Sequence, residues 1–418
     1  MKLLINLCAH DGIISHYTGV GTMVFRYIKL LKEYFDNSHH DYYVNLITPE
    51  YSKNSFGYSE EAYIKHSNIK NMRIIQIPNG SNGKENFGLF PNWKALTKNT
   101  AKFINSLDIS KFNKVITIFN DVPFTGLASS LKKSKKHIKI WIPHSTIKIH
   151  NCDVNTKENS LEAFARLGLE LEAVRYINKT NNCYVACISK FMKSHLIKEF
   201  GLFREKILML VNGEIFENIS NPRLSEENKK YFEIVKEFDT FILSFGRAEK
   251  YKNLVATMEL GHAMSLPTVV IAQSYFKGQP IIREYREIAK ETNSILIVDP
   301  PFNLAKEIIS NFKNRLIVLI PSKKESMGLI INEVRKMNKN NVLLVSNKTD
   351  GLKEQIRHGY DGLLVNLDNI QESAKQIESF LDGDKVALLN KNSQKTMHIK
   401  YDFTKNFKKF IGRVISYE

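Results

Sequence analysis

Short apolar runs alternate with longer amphipathic stretches along almost the whole of this chain, and that rhythm admits few architectures. Runs of strand length stand at Leu3–Cys8, Tyr42–Thr48, Arg73–Ile77, Val115–Phe119, Ile138–Ile142 and Cys183–Ile188, then at Phe241–Phe245, Thr268–Ala272, Ile295–Val298, Leu316–Ile320 and Val342–Val345. Strands spaced by helices predict an α/β chain of parallel sheets covered on both faces, which bind ligands beyond the carboxyl ends of their strands. Functional residues are therefore expected just after each strand. A chain of 418 residues is also too long for one core, because single cores stop growing at about 250 to 300 residues.

The rhythm breaks between Val211 and Asp239, where Asn212-Gly213 leads into a polar stretch rich in Asn and Glu. The boundary is expected there, giving domains over 1–213 and 214–396 and a closing segment over 397–418. Phe403, Phe407, Phe410, Ile411 and Val414 recur at helical spacing and predict a final helix. Apolar residues at 43% leave no room for extensive disorder. No run approaches the roughly 18 apolar residues of a membrane span, and no basic leader precedes the first strand, so a cytoplasmic protein is expected.

Cys8, Cys152, Cys183 and Cys187 are too few for a disulfide scaffold and lack a Cys-x-x-Cys spacing. Buried, reduced thiols are expected, with Cys183 and Cys187 on one strand face. Of the net charge of +17, +12 lies within residues 1–213. No zinc finger, RNP aromatic pair or Arg-rich helix accompanies it, so an anionic acceptor or membrane surface fits better than nucleic acid.

After the first strand, Thr18-Gly19-Val20-Gly21-Thr22 precedes an amphipathic segment over Val24–Phe35. Gly19 and Gly21 at such a turn would let backbone amides approach an anion. A dinucleotide fingerprint wants a third Gly where Val24 stands, which weakens a dehydrogenase reading.

The second half is more specific. Phe241–Phe245 ends in Gly246-Arg247, and Lys252 follows where a helix would begin. A planar guanidinium fork and an ammonium beside a helix N-terminus form a clamp for a diphosphate, neutralising a leaving nucleoside diphosphate without a metal. Leu316–Ile320 then leads into Pro321-Ser322-Lys323-Lys324-Glu325-Ser326-Met327-Gly328-Leu329-Ile330-Ile331-Asn332-Glu333. Its two acids lie about two helical turns apart and can face one ligand at different depths. Carboxylates accept sugar or ribose hydroxyls, and Gly328 lets backbone amides reach a ligand.

These elements, in this order, resemble the family 4 glycosyltransferases. Cys187-Ile188-Ser189-Lys190 and Val211-Asn212-Gly213 look like that family's interdomain landmarks. Asp350-Gly351-Leu352-Lys353-Glu354 followed by His358-Gly359-Tyr360-Asp361-Gly362-Leu363-Leu364-Val365 looks like its closing signature. The family often has Gly-Gly where Asp350-Gly351 stands, and a small residue where Val334 follows the second acid. The resemblance implies a GT-B fold, two Rossmann-like doubly wound domains facing a central cleft, with the C-terminal helix returning to the first domain. It also implies sugar transfer from a nucleotide diphospho-sugar to a hydroxyl with retention. Arg247 and Lys252 would bind the donor diphosphate, Glu325 the transferred sugar and Glu333 the ribose, with amides near Gly328 and Leu329 completing the cradle.

In the first domain the resemblance places a His near the donor sugar, and His144, after Ile138–Ile142, fits that place. Asp121 and His10 also follow strands, as acceptor-side candidates; Asp121 is expected rather to cap a helix starting near Pro123. Asp382-Gly383-Asp384 imitates a metal-binding acid pair but lies far past the donor elements, so neither metal nor other cofactor is expected. Two other readings stay open, a GT-B sugar-nucleotide epimerase and a non-catalytic donor-binding subunit. Lys132, Lys133, Lys135 and Lys136, read as a helix end, raise the expectation of peripheral contact with an anionic membrane carrying a lipid-linked acceptor.

Overall fold

A computed structural model of the chain describes residues 1–16, 18–55, 57–80, 89–150, 157–216, 222–301, 303–337 and 341–417. They form two compact units, one from Met1–Asn212 with Phe403–Glu418, the other from Gly213–Asp402.

The first unit holds a seven-stranded sheet of β1 (Lys2–Cys8), β2 (Asp41–Pro49), β3 (Met72–Ile77), β4 (Lys114–Asn120), β5 (His137–Ile142), β6 (Cys183–Cys187) and β7 (Ile207–Met209). Its order is β3-β2-β1-β4-β5-β6-β7, and its neighbours pair in parallel. The second unit holds β8 (Thr240–Arg247), β9 (Thr268–Gln273), β10 (Ile295–Val298), β11 (Arg315–Ile320), β12 (Val342–Asn347) and β13 (Leu363–Val365), in the order β10-β9-β8-β11-β12-β13. Strand order reverses beside β1 and β4 in one sheet and beside β8 and β11 in the other. In doubly wound sheets a crevice opens at that reversal, outside the carboxyl ends of the strands.

Alternation along β8 shows how both faces of a sheet are covered. Phe241 and Leu243 pack with Leu304, Ile308, Ile331 and Val334 from helices on one side. Ile242 packs with Ala256, Leu260 and Ile377 on the other. A parallel sheet buried on both faces explains why its strands read as continuous apolar runs.

The final helix, Phe403–Ser416, belongs to the first unit. Its Phe403 and Phe407 rings lie 5.7 and 5.8 Å from the Tyr27 ring on helix Gly19–Asp36, and Lys114 Nζ donates to the Ile415 carbonyl at 2.6 Å. Cys8, Cys183 and Cys187 are buried and free, and burial raises all three thiols, Cys183 to about 11 and Cys187 to about 12, so they stay protonated. Cys152 lies outside the described residues. No helix among the described residues is long and apolar enough to cross a membrane.

Three sequence expectations change. Helix Gly19–Asp36 begins earlier than Val24, so Gly19 and Gly21 form its first turn instead of a loop before it. The lysine cluster does not end a long helix: Leu127–Ser130 is a single turn, and the chain is irregular from Leu131 to Lys136. Lys136 is a structural tie, its Nζ donating to the carbonyls of Ile109 at 2.5 Å and Phe112 at 3.0 Å.

Candidate functional site

In the second unit, the loops after β8 and β11 are laced together. Lys323 N donates to the Tyr251 carbonyl at 2.8 Å, and Asn253 Nδ2 to the Pro321 carbonyl at 3.3 Å. Asn253 has φ 54°, a left-handed turn between the 3-10 segment Lys250–Lys252 and helix Leu254–Ala263. Asn tolerates that conformation better than most residues. This crossing sets Lys252 Nζ against Glu325 Oε1 at 2.5 Å, with both side chains mostly buried and Ser322 Oγ donating to the same oxygen at 3.2 Å. The structure thus joins the expected diphosphate cation and the expected sugar acid in one ion pair.

Arg247, the last residue of β8, carries a guanidinium that donates to the Tyr275 hydroxyl and, at 2.6 Å, to the Tyr251 hydroxyl. Glu249 Oε2 lies 3.2 Å away, and the guanidinium stands 5.4 Å from the Tyr275 ring centre. Tyr251, Tyr275 and Glu249 fix the fork, while 40% of the Arg247 side chain stays exposed and can meet an anion. Sequence reasoning missed these three holders. Tyr251 adjoins Lys252 and was within reach; Tyr275 arrives from the loop after β9, which only the fold brings near.

Gly328 has φ 75°, a left-handed conformation that favours glycine, and a Cβ there would lie 2.4 Å from Leu352 Cδ2, so that side chain would have to shift. Helix Leu329–Met337 starts immediately after it. The first N–H groups of a helix have no partner inside it and point at whatever lies beyond the N-terminus. Gln355 Nε2 donates to the carbonyls of Met327 and, at 3.0 Å, Gly328, bracing the turn from behind. Glu333 stands on the second turn, half-buried.

In the first unit, His144 is buried just past β5. Asn120, ending β4, donates from Nδ2 to the Cys8 carbonyl of β1 at 3.0 Å, which turns its Oδ1 toward His144 Nε2, 3.0 Å away. Nε2 therefore carries the proton. Burial lowers His144 to about 4, with Asp121 pulling it up and His10 pressing it down. The ring is neutral at pH 7. On unfolding it regains an ordinary pKa of about 6.5. Between pH 6.5 and 4 the unfolded chain thus binds a proton that the folded chain refuses, and stability falls as pH falls. His144→Gln removes this effect, so relative to wild type it should gain up to about 3 kcal/mol between pH 7 and 4. Urea midpoints across that range check this; parallel profiles for the two proteins would refute a buried neutral ring.

Asp121 corrects an expectation. It precedes the 3-10 turn Val122–Phe124, but its side chain makes no capping hydrogen bond. Its φ is 60°, held by Asp121 N donating to the Ile142 carbonyl at 2.9 Å and Trp141 Nε1 donating to the Asp121 carbonyl at 3.3 Å. Its Oδ1 is buried without a hydrogen-bond partner. A left-handed backbone and one buried carboxylate oxygen without a partner coincide at Asp121, and no cap is formed. Glu170, which the sequence did not single out, is fully buried from helix Lys157–Lys179. Burial raises it to about 7 although Arg166 Nε lies 3.0 Å from Oε1 and opposes the shift.

His10 is buried after β1, and its carbonyl accepts from Tyr51 Oη at 2.9 Å. Asp11 organises the adjoining loop, accepting from Gly12 N at 2.8 Å, Ser15 Oγ at 2.9 Å, Thr18 N at 2.8 Å and Thr18 Oγ1 at 2.6 Å. A Cβ on Gly21 would lie 2.2 Å from Asp11 Oδ2, and Gly21 N donates to Thr18 Oγ1 at 3.0 Å. The carboxylate at this helix N-terminus is the protein's own. Asp382 likewise caps helix Gly383–Lys400, accepting from Asp384 N at 2.9 Å and Lys385 N at 3.4 Å.

No curated protein sequence matches the chain. Among solved structures, the sucrose-phosphate synthase of Thermosynechococcus elongatus superposes with a TM-score of 0.72 at 14% identity, covering 99% of this chain and 98% of that one. Anabaena HepE in complex with UDP and glucose gives 0.68 at 13% identity, covering 99% of each chain. A glycosyltransferase from Rickettsia africae gives 0.66 at 16% identity, covering 100% and 99%. These likenesses establish the two-domain GT-B fold. Residues 225–396, which contain Arg247, Lys252, Glu325, Gly328, Leu329 and Glu333, match the family described as glycosyl transferases group 1.

Proposed function

We propose that this chain is a retaining glycosyltransferase that moves a hexosyl group from a UDP-sugar to a hydroxyl acceptor in the synthesis of a cell-surface polysaccharide or glycoconjugate. The observation that carries the reading is the meeting of Arg247, Lys252 and Glu325 at the carboxyl ends of β8 and β11, where the strand order reverses. Two cations there would neutralise the departing diphosphate, so the reaction is read as independent of metal. Glu325, paired with Lys252, holds the sugar, and Glu333, one helical turn into Leu329–Met337, takes the ribose hydroxyls. UDP is favoured because HepE is seen with UDP and glucose. His144 and Asp121 belong to the sugar and acceptor side. In this reading the protein is cytoplasmic, and Lys132, Lys133 and Lys135 give it peripheral contact with an anionic membrane bearing a lipid-linked acceptor.

A ligand that binds only the folded chain raises its melting temperature. UDP should therefore raise Tm more than GDP, ADP or dTDP at equal concentration. Glu333→Ala should abolish that rise, since it removes the ribose contact, whereas Glu325→Ala should keep it and lose turnover. No stabilisation by any of the four nucleotides, or equal loss of UDP binding in both variants, would count against the assignment.

A further inference from the structure

Asp350 stands between the end of β12 and the short helix Leu352–Gln355, in a segment that lies along the donor loop. Gly351 N donates to the Glu325 carbonyl at 2.9 Å, and Thr349 Oγ1 to the Lys323 carbonyl at 2.8 Å. A Cβ on Gly351 would lie 2.5 Å from the Ser326 carbonyl oxygen, so the two backbones nearly touch. Asp350 itself has φ 35°, inside the left-handed region that favours glycine. Its carboxyl takes a hydrogen bond from the Glu325 backbone, yet its other oxygen, Oδ2, is buried with no partner. Burial raises the carboxyl above its ordinary range, against Lys324 and Lys353, which lower it.

A strained backbone and an unsatisfied buried acceptor therefore coincide in one residue, beside Glu325. Glycine would remove both penalties. An acceptor kept in that position has a use when a donor arrives from outside the chain. Resting on the proposed donor site, we propose that Asp350 is a specificity-determining residue whose carboxylate accepts a hydrogen bond from a hydroxyl of the transferred sugar. Such a group selects strongly, because a sugar lacking that hydroxyl, or turning it elsewhere, leaves the buried oxygen unpaired again. The nucleotide itself gains nothing from Asp350.

The test is calorimetric titration of wild type, Asp350→Asn and Asp350→Gly with UDP, UDP-glucose, UDP-galactose, UDP-N-acetylglucosamine and UDP-xylose. Glycine suits φ 35° and asparagine tolerates it, so both variants keep the loop, and Asp350→Gly should melt no lower than wild type. UDP affinity should be unchanged in both. The sugar that wild type binds best should lose about ten- to a hundredfold, the usual weight of a hydrogen bond to a charged group, and the spread among the four sugars should narrow. Unchanged UDP-sugar to UDP affinity ratios in both variants would overturn the assignment to Asp350 while leaving the donor site standing. Wild type that binds neither UDP nor any of its sugars would overturn both.

Discussion

Replacing Lys252 or Arg247 with alanine should lower kcat/KM for sugar transfer by about two to three powers of ten, the cost of deleting one fixed electrostatic contact to developing transition-state charge. The two substitutions should differ in kind. Arg247 is held by Tyr251, Tyr275 and Glu249, so Arg247→Lys keeps a charge but loses the fork, and should fall between wild type and alanine. Lys252 is an ion-pair partner of Glu325 at 2.5 Å, so Lys252→Ala also removes that charge from beside a mostly buried carboxylate. Its loss should therefore be partly shared with Glu325→Ala: the double variant should be less impaired than the product of the two single losses. Initial rates with intact melting curves check this. Unchanged kcat/KM in both alanine variants would remove the diphosphate assignment.

What the sequence disclosed and what it hid follow from how locally each feature is encoded. Eleven strands were legible because parallel strands buried on both faces are apolar without interruption; β7 and β13, each three residues long, carry too short a run to stand out. Arg247 and Lys252 were legible because glycine, arginine and lysine fall at fixed offsets around one strand end. Of the Arg247 holders, Glu249 and Tyr251 lie within four residues of it, whereas Tyr275 meets Arg247 only after β8 and β9 pair in register. Gly21 shows how one glycine can carry two readings. Its missing Cβ makes room for Asp11, a reason as good as an incoming anion and indistinguishable from it in sequence. Asp121 was read as a cap because the residue type and position suit one, whereas with φ at 60° its side chain makes no capping hydrogen bond. Glu170 lay hidden in a long helix, where one acid among many shows no sign of full burial.

Arg335 supports the donor loop from a buried network, and Arg335→Ala should destabilise the second unit by about 3 to 5 kcal/mol, the range for deleting one partner of a buried charged network. Arg335 is 1% exposed. It donates from Nε to Ser393 Oγ at 2.9 Å and from Nη2 to the Gln355 carbonyl at 2.7 Å, and lies 3.7 Å from Asp361 Oδ1. Gln355 in turn accepts from Asn332 Nδ2 at 2.7 Å and braces the Gly328 carbonyl at 3.0 Å. Removing Arg335 thus leaves the Asn332 bond as the remaining named tie between the helix that carries Glu333 and the segment that shapes the turn before it, so UDP affinity should fall along with stability. Asp361 keeps the Arg357 amide at 2.7 Å and Thr396 Oγ1 at 2.7 Å, which makes Asp361→Asn the milder change. Both tryptophans, Trp93 and Trp141, lie in the first unit, so their fluorescence reports that unit while far-UV circular dichroism reports both. In urea, Arg335→Ala should lose part of its dichroism well before the tryptophan transition, with the gap absent in wild type. Coincident transitions at the wild-type midpoint would show that the buried guanidinium contributes nothing net, its desolvation cost cancelling its hydrogen bonds.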